Sequence, residues 1–466
     1  MPFTSFVMFA AMRTGSNFLE ANLNAIPGVF CHGEVFNPVF MGKLNQTRMF
    51  GMDMTARDAD PLATLTAMRT ARDGLSGFRQ FQDHDPRVTE AVLNDPDCAK
   101  IILTRNPLDS YVSLLIARET GQWKLTNALK LRSARVRFDK EEFARHLDDL
   151  GLFYAEIMHQ LQVTGQTAFH IDYADIQDLD VLNGLAGFLG VAGRLEALDT
   201  NLKKQNPEPL WNKLENPEAV EEALARVDRF NFAHIPNFEP RRQAAVPTFI
   251  AAADVPTLYM PIRNGPDDQV AAWLSQLGGG LLDKVDYRSL RQWREKVGAM
   301  RSFTVLRHPL LRAHVAFSDQ IMSNALPGFR QQLIRRFDLP LPDVGTPPDF
   351  DTYRTAFLSF LRFLKVHVAG QSGMRPEAGF ASQTAVLEGF ARFRSPDLIL
   401  RENRLSEGLD FLAGQLDLVS PALKAPEPAG LYPLAALVDD DLEIAAREAY
   451  QRDYDMFGFE DWRDEV

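Results

Sequence analysis

A short polar stretch near residue 15 combines the residue types that bind anions. Arg13-Thr14-Gly15-Ser16 follows an apolar run, residues 6–12, and precedes leucines spaced as on one face of a helix. The first backbone N–H groups of a helix have no partners within it, and the helix dipole favours negative charge at that end. Arg13 adds a fixed positive charge, and Ser16 and Asn17 can add side-chain hydrogen bonds. The stretch therefore predicts an anion site at a strand–loop–helix junction.

A carboxylate follows at a position from which it could face this loop. Glu34 comes shortly after a second apolar pair, Val29-Phe30, which predicts a strand. If this strand and the first are parallel neighbours, Glu34 lies at the carboxyl edge of the sheet, where open α/β sheets bind ligands. Glu34 could then act as a general base, or it could be a surface carboxylate or the salt-bridge partner of Arg13. His32 and His84 are alternative bases.

A second arginine follows another predicted strand. Residues 100–104, KIILT, have the β-branched content of a buried strand, and Arg105 comes directly after them. Pro107 suits the first turn of the next helix. Ser113 lies about two helical turns further on. Arg105 and Ser113 could bind a second anionic group, or they could be a helix-start arginine and a packed serine.

Strand and helix patterns alternate through the first half, which predicts an α/β fold with a largely parallel sheet. At 466 residues the chain is too long for one compact core. We expect two domains, residues 1–245 and 246–466, with residues 236–247 as a linker.

Charge and cysteine content exclude several classes of protein. Residues 1–250 hold 26 Lys and Arg against 32 Asp and Glu, and residues 251–466 hold 24 against 30, so each half carries −6. Neither half is basic, which argues against a nucleic-acid partner. Two cysteines give no disulfide framework and no metal-ligand spacing, and they fit a reduced, cytoplasmic compartment. We expect no signal peptide and no membrane-spanning helix.

The second half repeats these signals in altered form. Residues 257–262 and Arg263-Asn264-Gly265-Pro266 echo the first strand and loop, and Arg307-His308-Pro309 echoes Arg105-Asn106-Pro107. Pro266 in the place of Ser16 removes an N–H, and two aspartates follow it. We therefore expect the second half to bind no nucleotide in the same manner. A structural role, a dimer surface and a part of the acceptor pocket remain open for it.

Five segments of residues 1–245 resemble, in this order and at these spacings, the bacterial sulfotransferases that use 3′-phosphoadenosine-5′-phosphosulfate, close to the nodulation and trehalose type. The segments are Arg13-Thr14-Gly15-Ser16-Asn17, Gly33-Glu34-Val35-Phe36-Asn37, Gly77-Phe78-Arg79-Gln80-Phe81 with Asp83-His84, Arg105-Asn106-Pro107 with Ser113, and Tyr173-Ala174-Asp175 before Phe188-Leu189-Gly190-Val191. Arg79 departs from the family pattern, in which we expect Lys, and we expect the effect to be small.

The resemblance implies a P-loop-like, three-layer αβα fold, here present twice. It implies that Arg13, Thr14, Gly15, Ser16 and Asn17 hold the 5′-phosphosulfate. It also implies that Arg105 and Ser113 hold the 3′-phosphate. Glu34 would be the general base and Arg13 would stabilise the developing charge, without a metal. The acceptor would be a hydroxyl of a carbohydrate, glycolipid or lipid.

Two other functions fit parts of the sequence. A P-loop phosphotransferase would have a similar sheet, but its loop needs G-x-x-x-x-G-K-[ST]. The stretch Arg13-Thr14-Gly15-Ser16 is shorter and lacks that lysine. A non-catalytic nucleotide-binding protein is the other alternative.

Overall fold

A computed structural model describes residues 3–123, 134–199, 210–226, 249–285, 287–391, 394–425 and 430–465. The chain divides into two compact units. The first comprises Met1–Arg242 and Ala369–Arg375, and the second comprises Gln243–Val368 and Pro376–Val466. The predicted linker, residues 236–247, lies outside the described residues.

The first unit is built on a five-stranded sheet in the order β2-β5-β1-β6-β7. Its strands are β1 (Ser5–Phe9), β2 (Val29–Cys31), β5 (Leu75–Gln80), β6 (Cys98–Thr104) and β7 (Phe169–Asp172). All four pairings are parallel. A separate two-stranded ribbon consists of β3 (Arg48–Met49) and β4 (Met52–Asp53), which pair antiparallel. The predicted α/β fold with a parallel sheet is confirmed for this unit.

Helices cover both faces of this sheet. The first unit contains α1 (Ser16–Ala25), α2 (Met54–Ala59), α3 (Pro61–Arg69), α4 (Pro86–Asn94), α5 (Pro107–Thr120), α6 (Lys140–Thr164), α7 (Leu179–Leu189) and α8 (Pro217–Arg226). Successive side chains of a strand point to opposite faces. Phe6 and Met8 accordingly pack with α1 and α7, whereas Val7 and Phe9 pack with α3, α4 and α6. The sheet is therefore the middle layer of three.

The strand order corrects one expectation. β1 and β2 are parallel, but they are not neighbours, because β5 lies between them and pairs with both. Glu34 still follows the carboxyl end of β2. The side chain of Arg79, near the carboxyl end of β5, consequently lies between Glu34 and the loop after β1.

The second unit has a mixed sheet in the order β10-β8-β9-β11-β12. Its strands are β8 (Phe249–Ala252), β9 (Thr257–Tyr259), β10 (Leu281–Val285), β11 (Arg301–Leu306) and β12 (Leu398–Arg401). The strands β9, β11 and β12 are parallel, as the sequence echo predicts. The pairings of β8 with β9 and with β10 are antiparallel. The expectation of a second mainly parallel sheet is thus not met, and the repeat of the whole fold stays a prediction.

The hairpin between β8 and β9 explains the difference. Only residues 253–256 join the two strands. A connection this short can join antiparallel neighbours, whereas parallel neighbours need a crossover of a dozen or more residues. The strand β8 is not among the elements predicted from the sequence.

The second unit is otherwise helical. It contains α9 (Asp267–Ser275), α10 (Tyr287–Val297), α11 (Pro309–Ala316), a π-helix (Phe317–Met322), α12 (Pro327–Phe337), α13 (Phe350–Val368), α14 (Gln383–Ala391), α15 (Leu405–Gln415), α16 (Leu434–Leu437), α17 (Asp440–Ala449), α18 (Gln451–Phe457) and α19 (Trp462–Glu465). Among the described residues of both units, no helix is both long enough and apolar enough to cross a membrane.

Candidate active site

The loop after β1 has the backbone of a tight anion-binding turn. Arg13 and Gly15 both adopt left-handed conformations, with φ of 67° and 90°, and α1 begins at Ser16. A Cβ atom on Gly15 would lie 2.7 Å from Ile176 Cδ1 and 2.9 Å from Tyr173 Cδ2, so a larger residue there would require these side chains to move. The first N–H groups of α1 have no acceptor within the helix.

Ser113 is hydrogen-bonded to Arg13, whereas the sequence-based prediction grouped it with Arg105. Arg13 Nε donates to Ser113 Oγ at 3.1 Å, and Arg13 Nη1 donates to the carbonyl of Trp123 at 2.9 Å. Asn106 Oδ1 accepts from the N–H of Leu108 at 3.0 Å, which caps α5 and sets the helix that carries Ser113. The guanidinium of Arg13 therefore points toward α5.

Arg105 places a second guanidinium beside the first. Its Nη1 donates to the carbonyl of Arg13 at 2.8 Å, and its guanidinium lies 4.0 Å from the ring centroid of Tyr173. Within the described residues Arg105 makes no ion pair, and its Nε is buried without a hydrogen-bond partner. Burial and, second, the charge of Arg105 lower the pKa of Arg13 to about 10. Two cations held this close favour an anionic ligand between or beside them.

Glu34 is held by the backbone around it. Its N–H donates to the carbonyl of Gly42 at 3.0 Å, and the N–H of Gly42 donates back at 2.9 Å. Gly33, with φ of 73°, permits this approach, because a Cβ there would lie 2.3 Å from the Gly42 oxygen. The side chain of Glu34 is 14% exposed, and Asn37 Nδ2 donates to its Oε2 at 2.8 Å.

The ion-pair partner of Glu34 is Arg79, whereas the sequence offered Arg13 for this role. Arg79 Nη2 lies 3.1 Å from Glu34 Oε1, and Arg79 Nε lies 2.8 Å from Glu20 Oε2. Arg79 Nη1 donates to Ser16 Oγ at 2.9 Å. One buried guanidinium therefore connects the anion loop with Glu34.

The two histidines proposed as alternative bases have different surroundings. His84 Nδ1 accepts from the N–H of Phe81 at 3.2 Å, so a neutral His84 carries its proton on Nε2. That nitrogen faces Glu34 Oε2 at 3.7 Å, which is beyond hydrogen-bond distance. His32 instead contacts Ser76 Oγ at 3.2 Å, and burial lowers its pKa to about 4.

These contacts set the ionisation of Glu34. Burial by itself raises the pKa of a carboxyl group, but the proximity of His84, the charge of Arg79 and the hydrogen bond from Asn37 outweigh it, so that the pKa of Glu34 lies below its usual value. Glu34 is therefore ionised at neutral pH and can accept a proton.

The corresponding loop of the second unit is occupied by its own side chains. Asn264 has φ of 64°, and its carbonyl accepts from Arg307 Nη1 at 2.9 Å, as the carbonyl of Arg13 does from Arg105. Helix α9 begins at Asp267 as α1 begins at Ser16. The structural counterpart of Arg13 is thus Asn264, one residue later than the predicted Arg263. Pro266 accordingly takes the place of Gly15.

The charges of this second loop are also neutralised. Arg307 pairs with Glu402 through Nε at 2.6 Å and Nη2 at 2.7 Å, whereas Arg105 stacks on Tyr173. Asp267 Oδ1, at the start of α9, accepts from the hydroxyl of Tyr259 at 2.7 Å. A carboxylate therefore occupies the helix start where an anion would otherwise bind.

The chain is similar to known proteins over part of its length. No family model matches the chain. The chain is 23% identical over 214 residues to Nodulation protein H of Rhizobium tropici, and the match covers 45% of this chain and 85% of that protein. The chain is sulfotransferase-like. A solved sulfotransferase from Alicyclobacillus acidocaldarius is 20% identical, with 48% of this chain and 94% of that chain covered and a TM-score of 0.29. Each match spans less than half of the sulfotransferase-like chain.

The anion loop and its surroundings contain polar atoms that are buried without a hydrogen-bond partner in the part of the chain that the structure describes. They include Arg105 Nε, a donor that suits an anionic group, and Asn17 Oδ1, an acceptor that needs a donor. Such atoms are costly to bury unless a ligand satisfies them. Among the described residues of the sulfotransferase-like chain, no group of three or more His, Cys, Asp or Glu side chains could hold a metal ion.

Proposed function

We propose that the first unit transfers a sulfuryl group from 3′-phosphoadenosine-5′-phosphosulfate to a hydroxyl of a carbohydrate, glycolipid or lipid. The observation that carries the proposal is the pairing of an anion loop with a partly buried, ionised carboxylate. The loop contains Arg13, and Arg79 connects its Ser16 to Glu34. The similarity to sulfotransferases supports the reaction class.

In this proposal the donor is bound by two groups of residues. The N–H groups of Thr14, Gly15, Ser16 and Asn17 would hold the 5′-phosphosulfate at the start of α1. Arg105 and Ser113 would hold the 3′-phosphate. The bond between Arg13 Nε and Ser113 Oγ and the contact of Arg105 with the Arg13 carbonyl support this grouping.

Glu34 would act on the acceptor. It accepts the proton of the attacking hydroxyl, and the loop amides with Arg13 stabilise the negative charge that develops on the departing phosphate oxygen. The donor supplies the sulfuryl group. We infer that the second unit binds no nucleotide, which the ion pair of Arg307 with Glu402 supports. A structural role, a homodimer surface and a cytoplasmic location remain predictions.

Ligand-dependent stability separates this function from that of a kinase. Adenosine 3′,5′-bisphosphate should raise the melting temperature, because a ligand at 100 times its Kd stabilises the folded state by about 2.7 kcal/mol. That corresponds to several degrees in Tm. ATP with magnesium should give little shift in the same differential scanning fluorimetry experiment. A larger shift with ATP would favour the phosphotransferase.

The pH dependence of the reaction should report Glu34. The base must be ionised, so kcat/KM should rise with pH through the pKa of Glu34 in the free enzyme, which lies below its usual value. The bound donor adds negative charge, which raises the pKa of a nearby carboxyl group. The acid limb of the kcat profile, in which kcat falls as the pH decreases, should therefore lie at higher pH than the acid limb of the kcat/KM profile. Coincident limbs, measured by initial rates from about pH 3 to pH 8, would contradict this.

A further inference from the structure

A buried cluster of charges lies between the anion loop and Glu34. The guanidinium of Arg79 contacts Ser16 Oγ at 2.9 Å, Glu20 Oε2 at 2.8 Å and Glu34 Oε1 at 3.1 Å. The side chain of Arg79 is 3% exposed, and those of Glu20 and Glu34 are 10% and 14% exposed. These three partners come from the start of α1, its second turn and the end of β2.

The geometry of a guanidinium explains how one side chain reaches all three. It is planar, and its five N–H donors point in fixed directions, whereas the lysine ammonium is a single point charge on a flexible stem. Arg79 Nη1 donates to Ser16 Oγ, whereas Nε and Nη2 lie within ion-pair distance of Glu20 and Glu34, and Nε makes no hydrogen bond. The departure from lysine at this position therefore creates contacts that a lysine cannot make simultaneously.

We propose that Arg79 is a positioning residue that couples the donor loop to the general base. Its Nη1 fixes Ser16 at the start of α1, and its Nη2 fixes Glu34 Oε1. Glu34 Oε2 then remains for the acceptor proton, facing Asn37 and His84. This inference rests on the proposed function, because it assigns Arg79 a role in orienting the base of that reaction.

The charge of Glu20 affects how strongly Arg79 stabilises the ionised form of Glu34. It shares the guanidinium with Glu34, so the two carboxylates compete for one positive charge. Removing the charge of Glu20 leaves Arg79 to Glu34 alone, which should favour the ionised form of Glu34 more strongly. Among the described residues, the charged and titratable groups around this site are Arg79 from β5, His84 after β5, Glu20 from α1 and the buried thiol Cys31 from β2.

The test compares Arg79→Lys, Arg79→Gln and Glu20→Gln with a control, Arg69→Gln. Arg69 is also a partly buried arginine, but it contacts Asp95 and, at 3.0 Å, Ser5 Oγ at the amino end of β1. Both Arg79 variants should lower kcat about a hundredfold, the scale expected for a displaced catalytic group. KM for the donor should change much less, and Arg69→Gln should change Tm but leave kcat intact.

The pH profile of kcat/KM distinguishes positioning from a merely structural role. Arg79→Gln should move the acid limb to higher pH, because it removes a positive charge that faces Glu34, and Glu20→Gln should move it to lower pH. If the acid limbs of the variants coincide with that of the wild type while Tm falls, Arg79 has only a structural role. If Arg79→Gln does not fold, Glu20→Gln and Arg79→Lys decide the matter. Failure of the wild-type chain to transfer sulfate would instead refute the proposed function.

Discussion

Glu34→Gln should abolish most turnover while the donor still binds. The amide has nearly the same shape as the carboxylate and can still contact Arg79, but it cannot accept the proton of the acceptor hydroxyl. General-base catalysis contributes about 10²- to 10⁴-fold, so kcat should fall by that factor. Initial rates with labelled donor measure the loss, and calorimetric titration with adenosine 3′,5′-bisphosphate measures the retained affinity.

His32→Gln is the matched control for this variant. His32 lies two residues from Glu34, but its ring contacts Ser76 and Phe50. We expect this variant to keep its activity. Turnover of Glu34→Gln near the wild-type rate would remove Glu34 from the role of base, and loss of turnover only in the histidine variant would transfer the role to His32.

Arg105→Ala should weaken binding of the donor product strongly. Hydrogen bonds to charged groups contribute about 1.5 to 3 kcal/mol each, which corresponds to about a 10- to 150-fold rise in Kd. The loss should be much smaller for adenosine 5′-monophosphate, which lacks the 3′-phosphate. Titration calorimetry with both nucleotides measures the difference.

The second unit provides the control for Arg105. Arg263 is exposed, and its carbonyl, not its side chain, accepts from Arg312 Nε at 2.9 Å. Arg263→Ala should therefore leave the Kd for adenosine 3′,5′-bisphosphate unchanged. If this control weakened binding as much as Arg105→Ala, the nucleotide would not be bound by the first unit alone.

Local patterns were sufficient to predict most elements of the first unit. The β-branched run KIILT, residues 100–104, predicts a buried strand, and it forms most of β6. Burial on both faces of a parallel sheet requires continuous apolar runs, which makes such strands visible in sequence. Short polar loops between them likewise mark the carboxyl edge.

The contacts of Glu34 depend on strand order, which the sequence does not show. β5 inserts between β1 and β2, and it brings Arg79 to the position that the sequence analysis considered for Arg13. Two features of the sequence could nevertheless have indicated an ion pair between Glu20 and Arg79. Glu20 lies on the same helical face as Leu19 and Leu23, and Arg79 stands in an otherwise uncharged strand. Buried charges of opposite sign in neighbouring elements favour a pair.

The second unit shows the limit of reading a repeat from motifs. The match of Arg263 to Arg13 keeps the residue type, but the left-handed backbone lies at Asn264. The hydrogen bond from Arg307 also goes to the carbonyl of Asn264. Both features depend on the path of the backbone, which residue types alone do not reveal. Residue identity alone therefore gave an alignment that was wrong by one position.

A crystal structure of the chain with adenosine 3′,5′-bisphosphate tests the central claim most directly. We predict the 5′-phosphate at the N–H groups of residues 14–17, the 3′-phosphate at Arg105 and Ser113, and Glu34 facing the 5′ end from across the loop. A nucleotide bound in the second unit, or one whose 5′-phosphate lies away from the start of α1, would contradict the account.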